Sequence, residues 1–346
     1  MKKYFSSVLC SNGYCCAFNT IYKKDPTAKV YIINGDDYEK SLFFSHLTKL
    51  LKGFDITLFN PFYDDSTDGI YIKNLNTYIL SDGGYNKLSP VLPLIWEKCV
   101  NITESKNYPI DILRQVLLHK SVESRHYKNA CITLKKASLI KERLHGELSQ
   151  YIDEDKTVIF VHQFFSREMK NSTKQGNGEI RLLSSPTPLG FHTHYGTIFE
   201  ACDKIINIVD ETGFTGSVIT SVIKNYALKQ KIPIIVSPSY FSNNFFQFLI
   251  IPERKICLCV SDNIHSLPFQ PHETVNASRF LTDSSILKSR KVEILLSVEK
   301  SLLQKAIMQI YEGRDERFKY NNLTNDFSEP KKAKETAEKL TERLLS

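Results

Sequence analysis

The apolar run Val30-Tyr31-Ile32-Ile33 stops at Asn34-Gly35, and apolar residues return at helical spacing as Leu42, Phe43, Leu47, Leu50 and Leu51 before Gly53. A short apolar run, a tight turn and then a 3.6-residue period predict strand, loop and helix. Ile56 to Phe59, closed by Asn60-Pro61, and Tyr71 to Leu80, ending at Ser81-Asp82-Gly83-Gly84, predict two further strands. Residues 4 to 19 read as a short β region broken at Asn12-Gly13. This alternation predicts an α/β fold with a parallel sheet.

From Ile110 to about Tyr151 the pattern turns wholly helical, with Leu113, Leu117, Tyr127, Ala130, Leu134, Ala137, Ile140, Leu144 and Leu148 mostly three or four apart. One long helix, or a helical hairpin, is expected to project from the sheet or pack on it. Thr157 to Phe165 fits helix or strand, and SREMKNSTKQGNGE reads as a polar linker.

After the linker the first half comes round again. Gly13 is matched by Gly190, Val30 to Ile33 by Ile206 to Val209, Ser41 by Ser217, and Asn60-Pro61-Phe62-Tyr63 by Ser237-Pro238-Ser239-Tyr240. Ser81-Asp82 is matched by Ser261-Asp262 and Val100-Asn101 by Val275-Asn276, at shifts that drift only between 175 and 180. The expected organisation is a first domain over 1–165 with a helical arm, a linker over 166–182, a second domain over 183–312 and a polar tail over 313–346. Ile286 to Tyr311 reads as the second half's helical region and 313–330 as loose. In the tail, Ala333, Ala337, Leu340 and Leu344 share one face, which fits a short docking helix or a frayed terminus.

Composition narrows the class. With 42% hydrophobic and 24% charged residues over 346 positions the chain reads as globular, and its formal charge of +7 is spread without a basic block. No nucleic-acid partner is expected. No run of about 18 apolar residues suggests a membrane span, and the start lacks a sustained signal-peptide segment, so a cytoplasmic protein with no membrane partner is expected. The eight cysteines show no C-x-x-C pairing and read as buried free thiols. His192-Thr193-His194 offers two imidazoles at zinc-like spacing but no third ligand nearby, and surface histidines are the simpler reading.

The chemistry lies at the two loops. In a phosphate loop, G-x-x-x-x-G-K-[ST], glycines let backbone N–H groups wrap the phosphates, the lysine neutralises them and the hydroxyl reaches magnesium. Lys40 and Ser41 stand in those last two positions, but Asn34 and Glu39 take the glycine positions, with Asp36 and Asp37 between. In the second loop Asp210 and Thr215 take the glycine positions, Gly213 stays in mid-loop, and Gly216 replaces the lysine ahead of Ser217. Asp82 and Asp262 end apolar runs, where a magnesium-holding carboxylate sits beside such a loop. Turn residues often stand there too.

With KYFSSVLCSNGY, VYIINGDDYEKS, STDGIYIKNLNTYILSDGG, the long helix after them, and the weaker echoes SPTPLGF, INIVDETGFTGS and IIPERKICLCVSD, nearly the whole chain resembles a family of bacterial proteins. That family consists of two fused P-loop halves, ATPase-like or nucleotide-kinase-like. The resemblance implies tandem P-loop-fold domains with parallel sheets, each followed by a long helix. It makes Gly35, Lys40, Ser41, Gly213 and Ser217 the nucleotide-binding candidates and Ser41, Asp82 and Asp262 the magnesium candidates. ATP and magnesium are the cofactors it implies, and the lost motif residues argue for none.

Magnitude weighs on the choice. A carboxylate about 4 Å from a phosphate oxygen costs roughly 4 kcal/mol at an effective dielectric of about 20, more than the strain of a non-glycine loop residue. The leading expectation is a degenerate pair that has lost catalysis and acts as a binding or regulatory protein. The alternatives are an ATPase or small-molecule kinase working through Lys40, Ser41 and Asp82, and a protein that binds a protein partner through its helical arm.

Overall fold

The computed structural model describes residues 1–86, 88–103, 108–169, 176–239 and 242–346, without the side chains of 242–244. Part of the expected linker, and Tyr240 of the repeat, fall outside the described residues. The first half comprises β1 (Lys2–Phe5), β2 (Ser7–Cys10), β3 (Gly13–Cys16), α1 (Phe18–Ile21), β4 (Lys29–Asn34), α2 (Asp37–Leu50), β5 (Ile56–Asn60), β6 (Gly69–Ile72), β7 (Thr77–Ser81) and β8 (Glu97–Asn101). Helices α3 (Ile110–Ser149) and α4 (Glu154–Glu168) follow. The second half runs β9 (Gly178–Ile180), β10 (Ser184–Thr187), β11 (Gly190–Thr193), α5 (Tyr195–Ala201), β12 (Lys204–Val209), α6 (Phe214–Lys229), β13 (Ile234–Ser239), β14 (Ser242–Ile251), β15 (Ile256–Ser261) and β16 (Glu273–Asn276). It ends in α7 (Arg290–Asn325) and α8 (Pro330–Leu345).

Each half forms a six-stranded sheet, ordered β1-β5-β6-β7-β4-β8 and β9-β13-β14-β15-β12-β16. Orientations match strand for strand, so the repeat read from sequence is a repeat of topology. The sheets are mixed, which corrects the expectation of parallel sheets: β6 and β14 run antiparallel to both neighbours. The stretch expected as one strand over Tyr71–Leu80 is a hairpin folded at Lys73–Leu75 and Asn76, whose φ is 44°. Lys255 closes the matching turn at φ 51°. Connections this short permit only antiparallel neighbours, because a parallel crossover needs a dozen or more residues.

The inner faces of the two sheets share one core, with Val30, Ile32, Phe59 and Leu80 from the first and Ile205, Phe248, Ile250 and Cys257 from the second. The outer face of the first sheet is covered by α2 and α8, and that of the second by α4 and α6. The terminal helices are therefore exchanged. Helix α4, which follows the first sheet in sequence, puts Phe160, Val161, Phe164 and Phe165 on the second, while α8 brings Ala333, Ala337, Leu340 and Leu344 back to the first. The docking helix expected of the tail forms in this way. Residues 313–325, expected to be loose, continue α7.

Helices α3 and α7 carry the exchange by packing antiparallel, with His119 beside Glu316 and Glu147 beside Lys291. The buried positions of α3 (Glu123, Tyr127, Ala130, Leu134, Ala137, Lys141) alternate four and three apart, a coiled-coil seam. Those of α7 (Glu299, Leu303, Ala306, Ile310, Gly313, Arg317) follow each of them by 176 residues, for example 299 − 123 and 317 − 141. At Gly313 the helices touch so closely that an added Cβ would lie 2.4 Å from the Tyr127 ring. Among the described residues no helix is long and apolar enough to cross a membrane.

Candidate functional site

Strand β4 delivers the first loop between Asn34 and the start of α2, with Asp82 immediately beyond its parallel neighbour β7. Strand β12 and β15 place Asp210 and Asp262 in the same way. Gly35 is required by packing, since a Cβ there would lie 2.6 Å from Ile102 and 2.7 Å from the Thr103 hydroxyl. Asp36 caps α2 by accepting the Tyr38 N–H at 3.0 Å. Helix N-termini favour such a carboxylate.

Glu39, at a glycine position of the motif, is fully buried and does not line the cleft beside the loop. It accepts the Thr103 hydroxyl, and at 2.7 Å the backbone N–H of Glu329 at the head of α8. Asp37 faces the other way. Its carboxylate lies 3.0 Å from the Lys40 ammonium and is paired with Arg317, which arrives from α7. Burial pushes the Asp37 carboxyl up, but Arg317 and then Lys40 outweigh it and hold it well below the usual carboxylate range. Lys40 donates its remaining contact to the Asp82 carbonyl at 2.8 Å. The buried Arg317 also meets Glu123 at 3.1 Å and the Tyr63 hydroxyl at 3.2 Å, with its guanidinium 4.1 Å over the Tyr63 ring.

Gly35, Asp37, Lys40 and Arg317 open on a cleft of about 710 Å³ whose further walls include Gly83, Lys120 and the stacked rings of Tyr14 and Tyr85. Ser41 lies apart from it, on a cavity of about 120 Å³ shared with Lys40, Tyr63 and Asp68. The Asp82 side chain accepts the Leu88 N–H at 3.0 Å.

The second loop is closed more tightly. Asp210 accepts the N–H groups of Thr212 at 3.0 Å and Gly216 at 2.7 Å, the donors that such a loop offers to an anion. Ser217 donates its hydroxyl to the Gly213 carbonyl. Gly216 has no room for a lysine, because a Cβ there would lie 2.6 Å from Val260. The cation comes instead from α3: Lys141 lies 3.2 Å from Glu299 and 3.8 Å from Asp262. Burial pulls the Lys141 ammonium down, and Glu299 followed by Asp262 raises it above its ordinary value. Asp262 accepts the N–H groups of Ile264 and His265, and His265 with Lys141 holds it well below the usual range against burial. Gly213, Ser217, Asp262 and Lys141 surround a space of only about 30 Å³, room for about one water molecule.

The structure thus brings Gly35 and Lys40 to one cleft, sets Ser41 on a smaller neighbouring cavity that shares Asp37, Lys40 and Arg317 with it, and gathers Gly213, Ser217 and Asp262 in the second half. The nucleotide and magnesium suggested by the resemblance do not fit the second loop as it stands, and at the first they meet Asp37. Among the described residues no three His, Cys, Asp or Glu side chains are grouped to hold a metal ion. His192 and His194 meet edge to face at 5.1 Å, and His194 packs at 4.4 Å on Phe5, so His194 is half-buried where a surface residue was expected. Cys99 is exposed, unlike the buried thiols of Cys202, Cys257 and Cys259.

No family model, curated protein or solved structure matches the chain. The geometry alone carries the functional reading.

Arg317, Lys141 and their partners Glu123 and Glu299 were missed in the sequence, although the 176-residue shift that pairs Ser41 with Ser217 also pairs them. Asp68 was missed too. It is buried, accepts Ser6 Oγ at 2.9 Å, and burial, opposed most strongly by Lys40, pushes its carboxyl up to about 6. A carboxyl raised in the folded state favours folding below its unfolded value near 4 and loses that contribution as pH rises through 6. Asp68→Asn is therefore expected to gain stability relative to the wild type between pH 4 and 7, approaching about 3 kcal/mol. Denaturant melts of both proteins across that range test it. A difference that does not change with pH would refute the assignment.

Proposed function

We propose that this is a tandem P-loop-fold protein that no longer turns over nucleotide and acts as a binding or regulatory protein. The observation that carries this reading is that each loop is occupied by its own carboxylate. Asp37 takes the lysine and the incoming arginine of the first loop, and Asp210 takes the backbone donors of the second. A phosphate entering either loop has to displace an internal anion that is already paired, or stand against it. A protein partner is the natural ligand of such a scaffold, and Ile110, Leu113 and Leu117, exposed in a row at the start of α3, are the proposed contact.

The second reading is an ATP-dependent enzyme using Lys40, Ser41 and Asp82. It is favoured by the cleft beside Lys40, whose volume of about 710 Å³ suits a small-molecule ligand, and by the Glu39 carboxylate being engaged by Thr103 and Glu329 outside that cleft. Thermal denaturation with and without ATP and magnesium separates the two. The proposed function expects an unchanged midpoint and no phosphate release. Clear stabilisation, with turnover that disappears in Lys40→Ala, establishes the second reading instead.

A further inference from the structure

The hairpin β2–β3 forms one wall of the large cleft, through Tyr14 and Cys16, and it carries an arrangement of thiols that the sequence spacing gave no reason to expect. Cys10 and Cys15 lie on opposite strands with their sulfur atoms 2.8 Å apart. Cys10 is buried and Cys15 half-buried, so the pair reaches solvent on the Cys15 side. The register pairs Val8 with Cys15 and Cys10 with Gly13, which puts Val8, Cys10 and Cys15 on one face, and Gly13 turns the chain at φ 107°.

We propose that Cys10 and Cys15 form a redox-active dithiol, oxidised by a hydroperoxide to a disulfide that staples the hairpin at the wall of the cleft.

The hydrogen bond from Cys15 outweighs burial and lowers the Cys10 thiol below its ordinary value, while the same bond and burial raise Cys15. Cys10 is thereby the sulfur of the pair favoured as thiolate, the form that attacks. Its electron pair takes the distal oxygen of the peroxide, the O–O bond breaks, and the leaving alkoxide or hydroxide departs as alcohol or water after taking a proton. Cys15 then attacks the sulfenic sulfur of Cys10. The S–S bond forms, the S–O bond breaks, and hydroxide leaves as water with the Cys15 proton. Two thiols lose two electrons and the peroxide gains them. Burial pushes Cys131, on the neighbouring α3, up to about 12, so it stays a thiol and does not compete.

Tyr14 lies between the two cysteines in sequence and stacks on Tyr85 at 4.6 Å with an interplanar angle of 21°. A disulfide there restricts the strand pair that holds this stack, so the oxidation state sets the stiffness of the cleft wall.

The test uses the full chain with hydrogen peroxide as the oxidant, followed by alkylation under denaturing conditions and peptide mass mapping. Two thiols are expected to become resistant to alkylation, the bridge joining Cys10 to Cys15, with full recovery in dithiothreitol. In Cys15→Ser, Cys10 is expected to be trapped by dimedone as the sulfenic acid. Hydrogen exchange of β2 and β3 is expected to slow in the oxidised wild type. Continued alkylation of both thiols in peroxide-treated wild type, or a bridge to Cys16 or Cys131 instead, would overturn the proposal.

Discussion

Arg317→Met is expected to lower the stability of the protein by about 3–5 kcal/mol at pH 7, the cost of removing one partner from a buried charge network. The arginine is buried against Asp37, Glu123 and Tyr63, and no other cation reaches Glu123 in its place among the described ion pairs. Removing it leaves Glu123, whose carboxyl burial already raises, without its neutralising group. Among the described ion pairs Asp37 keeps Lys40. Because the folded-state carboxyl of Asp37 is depressed, its contribution is present above the unfolded value near 4 and is lost as pH falls from there toward its folded value. The deficit of the variant is therefore expected to be full at neutral pH and to shrink in acid. Adding Glu123→Gln to Arg317→Met is expected to recover part of the loss, since it removes the carboxylate left without its cation while Asp37 keeps its pair with Lys40. Chemical denaturation of the three proteins checks this, and a loss below about 1 kcal/mol in the single variant would mean that the network is solvated and slack.

Deleting residues 328–346 is expected to unfold the first half selectively. Helix α8 covers Phe43, Phe44 and Leu47 of α2 together with the outer face of the first sheet. Burial of Leu340 and Leu344 contributes roughly 3–6 kcal/mol, and the N–H of Glu329 that satisfies Glu39 adds roughly 1–3 kcal/mol. The second sheet keeps its cover, because α4, which lies between the two sheets in sequence, and α6 are untouched by the deletion. Hydrogen exchange of the truncated protein should show β4, β7 and α2 losing protection while β12, β15 and α6 retain it. Equal loss in both halves would contradict the exchange of terminal helices.

Much of this architecture is written in short-range patterns. Val30 to Ile33, the turn at Asn34-Gly35 and the helix after it were legible because each depends on neighbours in sequence, and so was the apolar face of Ala333, Ala337, Leu340 and Leu344. The antiparallel β6 was not, because the turn at Lys73–Leu75 contains neither glycine nor proline and Asn76 alone supplies the left-handed residue. The direction of Glu39 depends on an amide 290 residues away, and that of Asp37 on an arginine 280 residues away. No local pattern reports such partners. The charges Glu123, Lys141, Glu299 and Arg317 were the readable exception. Each interrupts an apolar seam, and a buried charge on a seam needs a partner. The repeat shift matches Glu123 to Glu299 and Lys141 to Arg317, one acid and one base on each helix, and the antiparallel packing pairs them crosswise as Arg317 with Glu123 and Lys141 with Glu299.

The central claim is that both loops are filled by internal carboxylates, Asp37 at the first and Asp210 at the second. Calorimetric titration of the wild-type protein with ATP and magnesium tests it most directly. The account predicts no saturable binding up to millimolar ligand, and saturable binding with a stoichiometry near one, lost in Lys40→Ala, would contradict it.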